Sequence, residues 1–165
     1  MRSIIVIGAV ANGRVAGLSG RMPWHAPADL RRFRQLTLGK AVVMGYRTWK
    51  SLDGPLGGRR NIVLARERTA SAAGAVLAGS LDEALAAVDD ETDVCLIGGT
   101  EVWSAGLDIA DSLRLTHIDA DYPGDTFFPA IDLRVWHETD RIETLSAVDG
   151  VDRKISFIDY VRGDR

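Results

Sequence analysis

The stretch RMPWHAPADLRRF, residues 21–33, sets a single carboxylate among apolar neighbours. Helical spacing of about 100° per residue from Pro27 puts Phe33 and Leu36 within roughly 40° of Asp29, with Leu30 at the edge of that stripe. Arg31, Arg34 and Gln35 fall on the other side. Two readings fit Asp29 taken alone. An acid in a first helical turn answers the positive end of the helix dipole. A carboxylate sunk among apolar side chains is instead protonated or matched, because an unpaired buried charge is too costly to keep. A ligand edge with a ring N–H beside an exocyclic NH₂ matches both oxygens; pterins and diaminopyrimidines carry that edge.

A second set of residues suits phosphate. In an open α/β sheet, ligands gather at the carboxyl ends of the strands. Tyr46-Arg47-Thr48 follows VVMG, Arg66 follows NIVLA, and Gly98-Gly99-Thr100 follows CLI. N–H groups at helix starts attract anions, glycine lets backbone approach closely, and arginine adds charge-assisted bonds. Singly, each junction also reads as a plain turn or a solvated arginine. Together they point to an extended anionic ligand such as a dinucleotide, although neither G-x-G-x-x-G nor a Walker loop is present.

The elements that must position these residues alternate. Residues 3–11 and 40–45 read as buried strands, apolar on both faces, and RNIVLA (60–65) and VCLIGG (94–99) read likewise. Residues 75–78 form a further strand. Helices are expected from Pro27 to near Leu38 with Gly39 beyond it, over 46–52, over 81–88 behind the capping box Ser80-Leu81-Asp82-Glu83, and from Thr100. Strands at 112–120, near 134–144 and at 154–161 follow without helices between them, which favours antiparallel pairing. The expected architecture is α/β: a mixed, mostly parallel central sheet of about eight strands flanked by about four helices, with antiparallel C-terminal strands. Gly13, Gly17 and Gly20 punctuate the loop after the first strand, as a plain flexible connection or a lid.

The totals exclude several classes. The 165 residues suit one domain, and 46% hydrophobic with 26% charged residues is ordinary for a packed globular chain. A net charge of −3 gives no bulk drive toward nucleic acid or acidic membranes. Cys95 is the only cysteine and reads as a small core hydrophobe, and His25, His117 and His137 are scattered, so no metal is expected. Trp49 and Trp136 read as packing residues. No apolar run is long enough to span a bilayer and no cleavage site follows the N-terminal run, so the expectation is a cytoplasmic, monomeric chain without membrane or nucleic-acid partners.

Five motifs in order resemble bacterial dihydrofolate reductases. They are M-P-W-x-x-P-A-D-L (Met22 to Leu30), V-x-M-G-x-x-T-W-x-S (Val42 to Ser51), P-L-x-G-R-x-N (Pro55 to Asn61), I-G-G (Ile97 to Gly99) and L-T-H-I-D-A-x-x-x-G-D-T-F-F-P (Leu115 to Pro129). The resemblance covers nearly the whole chain and implies one dihydrofolate reductase-like domain over residues 1–165. It implies reduction of 7,8-dihydrofolate to tetrahydrofolate by NADPH, and binding of antifolates. Asp29 would hold the pterin 2-amino group and ring N–H with Thr116, and Trp24 would hold a water and close the pocket. The proton would arrive as water past Met22. The substrate walls implied are Ile7, Ala9, Leu30, Phe33, Leu52, Leu56, Ile97 and Trp103, with Arg59 pairing the substrate α-carboxylate.

For the cofactor, the resemblance implies contacts along Ala9 and the lid residues Val15, Ala16, Gly17, Leu18, Ser19 and Gly20. It implies further contacts at Gly45, Tyr46, Arg47 and Thr48, at Leu64, Ala65 and Arg66, and from Gly98 through Gly99, Thr100, Glu101 and Val102 to Trp103. Gly13 to Met22 matches the mobile lid and Asp125 its tether. Three positions depart from the family's pattern. Tyr46 replaces an arginine, Ala65 a serine and Glu101 a basic or neutral residue, all near the 2′-phosphate. Each lost charge-assisted bond costs roughly 1.5–3 kcal/mol, so reduced discrimination against NADH is expected. Ala16, Ala26 and Trp103 also depart, which predicts altered antifolate affinity. The alternatives are a related-fold pterin or pyrimidine reductase, against which Trp24 and Asp29 argue, and a silent folate-binding paralogue.

Overall fold

The computed structural model describes residues 1–67 and 71–163. An eight-stranded sheet forms its centre. Its first strand, β1 (Ile4–Val10), is apolar on both faces and lies inside the sheet, as a strand covered from both sides must. Next in the chain come a short strand β2 (Val15–Gly17), helix α1 (Pro27–Thr37), β3 (Ala41–Gly45), α2 (Tyr46–Ser51), β4 (Arg60–Leu64) and β5 (Val76–Ala78). Then follow α3 (Leu81–Ala86), β6 (Val94–Leu96), α4 (Thr100–Ile109), β7 (Ser112–Ile118), β8 (Thr126–Phe127), β9 (Trp136–Val148) and β10 (Val151–Arg162).

The strand order is β5-β4-β3-β6-β1-β7-β10-β9. The pairs from β5 across to β7 are parallel, and β7–β10 and β10–β9 are antiparallel. This amends the expectation for the C-terminal strands in two ways. Strand β7 follows α4, so it is a crossover strand and pairs parallel with β1. Strand β10, not β9, is the antiparallel neighbour of β7. The last two strands also reach each other through Asp149-Gly150, a two-residue connection with φ of 51° and 79°. That is the sign pattern a type I′ hairpin demands, and Asp-Gly is among its preferred pairs.

The sheet separates two layers. Ile5 and Ile7 pack with Val42, Met44 and Trp49 toward Phe33 and Leu36 of α1. Val6 and Val10 pack with Leu96, Val102 and Trp103 on the side of α3 and α4. Each fully buried aliphatic side chain here stabilises by about 1.5–3 kcal/mol. Cys95 is fully buried, and that burial pushes its thiol up to about 11, so it behaves as a core residue. Trp49 and Trp136 are buried too.

Helix ends follow local chemistry. Pro27 sits in the first turn of α1, and Gly39, one residue past its C-cap, has φ 78°. The Ser80 hydroxyl accepts from Glu83 N at 3.1 Å, the forward arm of the expected capping box. The return arm differs: Glu83 accepts from Gly79 N at 2.7 Å rather than from the cap residue. The loop after β1 is more ordered than its glycines suggest, because β2 pairs antiparallel with β8.

Candidate active site

Asp29 lies on the buried face of α1 and is 8% exposed. Its neighbours at helical spacing, Phe33 and Leu36, pack into the apolar cluster that contains Ile7, Leu52, Leu56 and Ile97. Thr116 of β7 is buried beside it, in register with Ala9 of β1 and Phe157 of β10. Burial pushes the Asp29 carboxyl above its ordinary value; the Thr116 hydroxyl and the charge of Arg32 offset part of that. The Trp24 indole N–H is buried with no hydrogen-bond acceptor among the described residues. Both groups are buried; the acid suits a polar ligand edge, and a buried donor without an acceptor suits a bridging water.

The loop carrying Met22 and Trp24 is fixed by the β9–β10 hairpin. Trp24 meets the Tyr122 ring at 5.7 Å, Tyr122 donates its hydroxyl to Asp149 at 2.6 Å, and His25 N donates to Asp149 at 2.9 Å. Met22 is exposed, as is Leu30 at the edge of the α1 stripe. On the β2 side, Leu18 and Arg21 exchange backbone hydrogen bonds of 2.8 and 3.1 Å, making a tight turn around Ser19 and Gly20. Ser19 N donates to Asp125 at 3.0 Å, and that bond, with the Thr126 hydroxyl, holds the Asp125 carboxyl below its ordinary value.

Arg59 is held at the far end of α1. Its Nη1 donates to the Thr37 hydroxyl at 3.0 Å and its Nε to Gly57 O at 2.9 Å. An arginine has five N–H donors in a rigid fork, so donors remain for a carboxylate. Asn61, buried at the start of β4, clasps the loop that presents it. Its amide donates to Leu56 O and Arg59 O at 3.0 Å each, and its carbonyl accepts from Leu56 N at 2.9 Å. Sequence reading used Asn61 only as a motif letter; a buried amide opening a strand beside a glycine turn was the available signal.

The dinucleotide candidates meet at the carboxyl ends of β3, β4 and β6. Gly45 N donates to Gly98 O at 2.8 Å, which joins two of the three junctions. Gly98 has φ +121°, and a Cβ there would lie 2.8 Å from the Trp103 ring. No Cβ fits between Gly98 and that ring, so packing on Trp103 and the positive φ together require glycine here. The Gly98–Gly99 peptide is cis, and α4 begins just beyond it. An open cavity of about 480 Å³ continues past Ala65 and Arg66, with Glu67, Gly79 and Glu83 also lining it. Gly79 follows a strand end like the other junctions. Arg66 donates to Glu101 at 3.2 Å, both side chains being about nine-tenths exposed at 86% and 85%. Tyr46, Arg47 and Thr48 stand at the start of α2.

Not every expected residue meets Asp29. Trp103 and Ala16 belong to the cluster on the α4 side of the sheet, and the Trp103 indole donates to Ile7 O at 2.9 Å. Trp103 therefore lies beneath Gly98 rather than beside Asp29. Val15 and Val102 bury their side chains, which leaves only their backbone for a ligand. Leu64 is half-buried at the end of β4.

Residues 3–162 match the family described as dihydrofolate reductase. A dihydrofolate reductase of Neisseria meningitidis serogroup B is 40% identical over 163 residues, 98% of this chain and 99% of the relative. Dihydrofolate reductase type 3 of Salmonella typhimurium is 46% identical over 138 residues, 84% of this chain and 85% of the relative. A solved dihydrofolate reductase from Enterococcus faecalis, complexed with NADP(H) and RAB-propyl, superposes with a TM-score of 0.91 at 30% identity. That superposition covers 98% of this chain and 97% of the other. A match across nearly the whole length, on a sheet whose strand ends carry the expected arginine and paired glycines and whose helix α1 carries the expected acid, places this chain in the dihydrofolate reductase family.

Proposed function

We propose that this protein reduces 7,8-dihydrofolate to 5,6,7,8-tetrahydrofolate by hydride transfer from NADPH, with Asp29 as the carboxylate that holds the pterin. The observation that carries the assignment of Asp29 is its burial against Thr116 in an apolar wall; the buried Trp24 N–H, without an acceptor among the described residues, supports it. A neutral environment that raises a carboxyl's proton affinity also magnifies its pull on a ligand N–H. Asp29 orients the pterin edge and raises the basicity of the bound ring, each pK unit being worth about 1.4 kcal/mol. Trp24 holds a water, Met22 borders the route by which a proton enters, and Arg59 pairs with the glutamyl carboxylate. Ile7, Phe33, Leu52, Leu56 and Ile97 exclude bulk water from the ring.

NADPH supplies the hydride when bound. The chain fits such a ligand at the Gly45–Gly98 junction, where glycine backbone from two strand ends is joined by a 2.8 Å hydrogen bond and carries no side chains. Gly98, Gly99 and Thr100 offer backbone at the start of α4, and Arg47 and Arg66 offer positive charge. Glu101 takes part of the Arg66 charge, so we assign this chain a weaker preference for the 2′-phosphate and appreciable use of NADH. The test is dihydrofolate-dependent loss of the NADPH nicotinamide absorbance. Turnover blocked by a 2,4-diaminopyrimidine is expected; no oxidation above the cofactor-alone rate would leave a silent binding protein and sink the assignment.

A further inference from the structure

One turn beyond Asp29 on α1 stands Arg32, a neighbour at i+3 spacing. Arg32 does not bond Asp29. Its Nη2 donates to Asp159 of β10 at 2.7 Å, and its guanidinium carbon lies 4.8 Å from the Phe157 ring centroid. Arg114 of β7 takes the other Asp159 oxygen at 2.5 Å. The side chains of Arg32, Asp159 and Arg114 are only 20%, 14% and 35% exposed.

Register explains why this group sits behind the acid. Phe157 pairs with Thr116 and Asp159 with Arg114, and alternate residues share one face of the sheet. The row that brings Thr116 to Asp29 therefore brings Arg114 and Asp159 to Arg32. From β9, the exposed Asp140 stands opposite Asp159 in register. From α1, Arg32 is the cation whose charge reaches Asp29.

Arg32 has two carboxylates to choose between. Bonded to Asp29, its fork would occupy the oxygens a ligand's N–H donors need. Resting on the reading of Asp29 as the ligand-holding acid, we propose that Asp159 is a positioning residue that holds Arg32 off Asp29 and keeps both Asp29 oxygens free for the ligand. Arg114 shares the Asp159 charge, so the buried group stays balanced when Asp29 ionises.

The test is a ¹³C carboxyl NMR titration of Asp29 in the free protein, assigned through Asp29→Asn, alongside Kd for a 2,4-diaminopyrimidine. In Asp159→Asn, Arg32 is released toward Asp29. The Asp29 midpoint should fall by about one pK unit and diaminopyrimidine binding should weaken about tenfold. In the Arg32→Leu background, Asp159→Asn should move the midpoint far less. A midpoint unmoved by Asp159→Asn, or one moved equally with and without Arg32, overturns the proposal. A residue that merely braces the fold would lower Tm without moving the midpoint. Arg32→Leu alone tests the same point should Asp159→Asn fail to fold. A rise below about one unit fits an arginine held at a distance, and a rise of about 1–3 units fits direct contact and overturns the proposal. Unchanged diaminopyrimidine binding in Asp29→Asn refutes the underlying reading of Asp29 instead, whatever Asp159 does.

Discussion

Asp29 and Glu101 are both acids in the first turn of a helix, and the fold gives them opposite surroundings. Asp29 is 8% exposed and its carboxyl is pushed upward by burial. The Glu101 side chain is 85% exposed and meets an equally exposed Arg66. The helix dipole favours both alike. What separates them is water. Around Asp29 one charge acts through a dry wall and its orientation matters. Around Glu101 and Arg66 charges are screened, so their effects are graded and salt-dependent.

The largest expected effect breaks this contrast at its buried end. Asp29→Asn should lower turnover with dihydrofolate at neutral pH by on the order of 10²–10³-fold. The same variant should be more stable than wild type there. The sign follows from linkage: a carboxyl whose folded pKa is raised binds more protons folded than unfolded. Its favourable contribution is complete below the unfolded value near 3.8 and is lost as pH rises through the folded value. Thermal melts across that window should show the wild type losing stability relative to Asp29→Asn as pH rises. Parallel curves would mean that Asp29 is not desolvated.

Next in size is Gly98→Ala. A Cβ at 2.8 Å from the Trp103 ring, on backbone at φ +121°, cannot be accommodated without movement. Strain of this kind costs about 1–3 kcal/mol. It should appear as weakened dinucleotide binding, measured by calorimetry, with dihydrofolate affinity less affected. Equal weakening of both ligands would show that the two ends of the cleft are not separable.

Arg59→Ala should raise KM for dihydrofolate by roughly 10–100-fold with kcat largely kept, because it removes a bond made equally in ground and transition states. Arg59→Lys should recover only part, since the Thr37 and Gly57 contacts orient a fork that lysine lacks. A full recovery would mean that charge alone matters at that site.

The smallest effect lies at the exposed end. Glu101→Gln frees Arg66 and should improve KM for NADPH a few-fold, about 1 kcal/mol or less, while KM for NADH stays unchanged. Added salt should shrink the difference. A shift equal for both dinucleotides would place Glu101 away from the 2′-phosphate.

The parallel half of the fold was legible because buried strands and their helices carry their own signatures. Apolar runs such as IIVIGAV and AVVMG, a proline at the start of α1 and glycine after its end are local facts. The C-terminal half was less legible. Placing β10 between β7 and β9 depends on long-range pairing, and the Asp149-Gly150 turn that sets their register is a two-letter signal. The β2–β8 pairing escaped because each partner is only two or three residues long.

The candidate site divides in the same way. Residue types and spacing by themselves determined that Asp29 shares a helix face with Phe33 and Leu36, and that Gly98-Gly99 opens a helix after a strand. Both are periodicities of a single segment. Tertiary structure alone decided that Arg32 turns to Asp159 instead of Asp29, that Trp103 stands beneath Gly98, and that Asn61 clasps the Arg59 loop. Arg32 chooses between a neighbour on its own helix and an acid 127 residues away, and Trp103 is held by Ile7 O, 96 residues away; only closure of the sheet brings such partners within reach of one another.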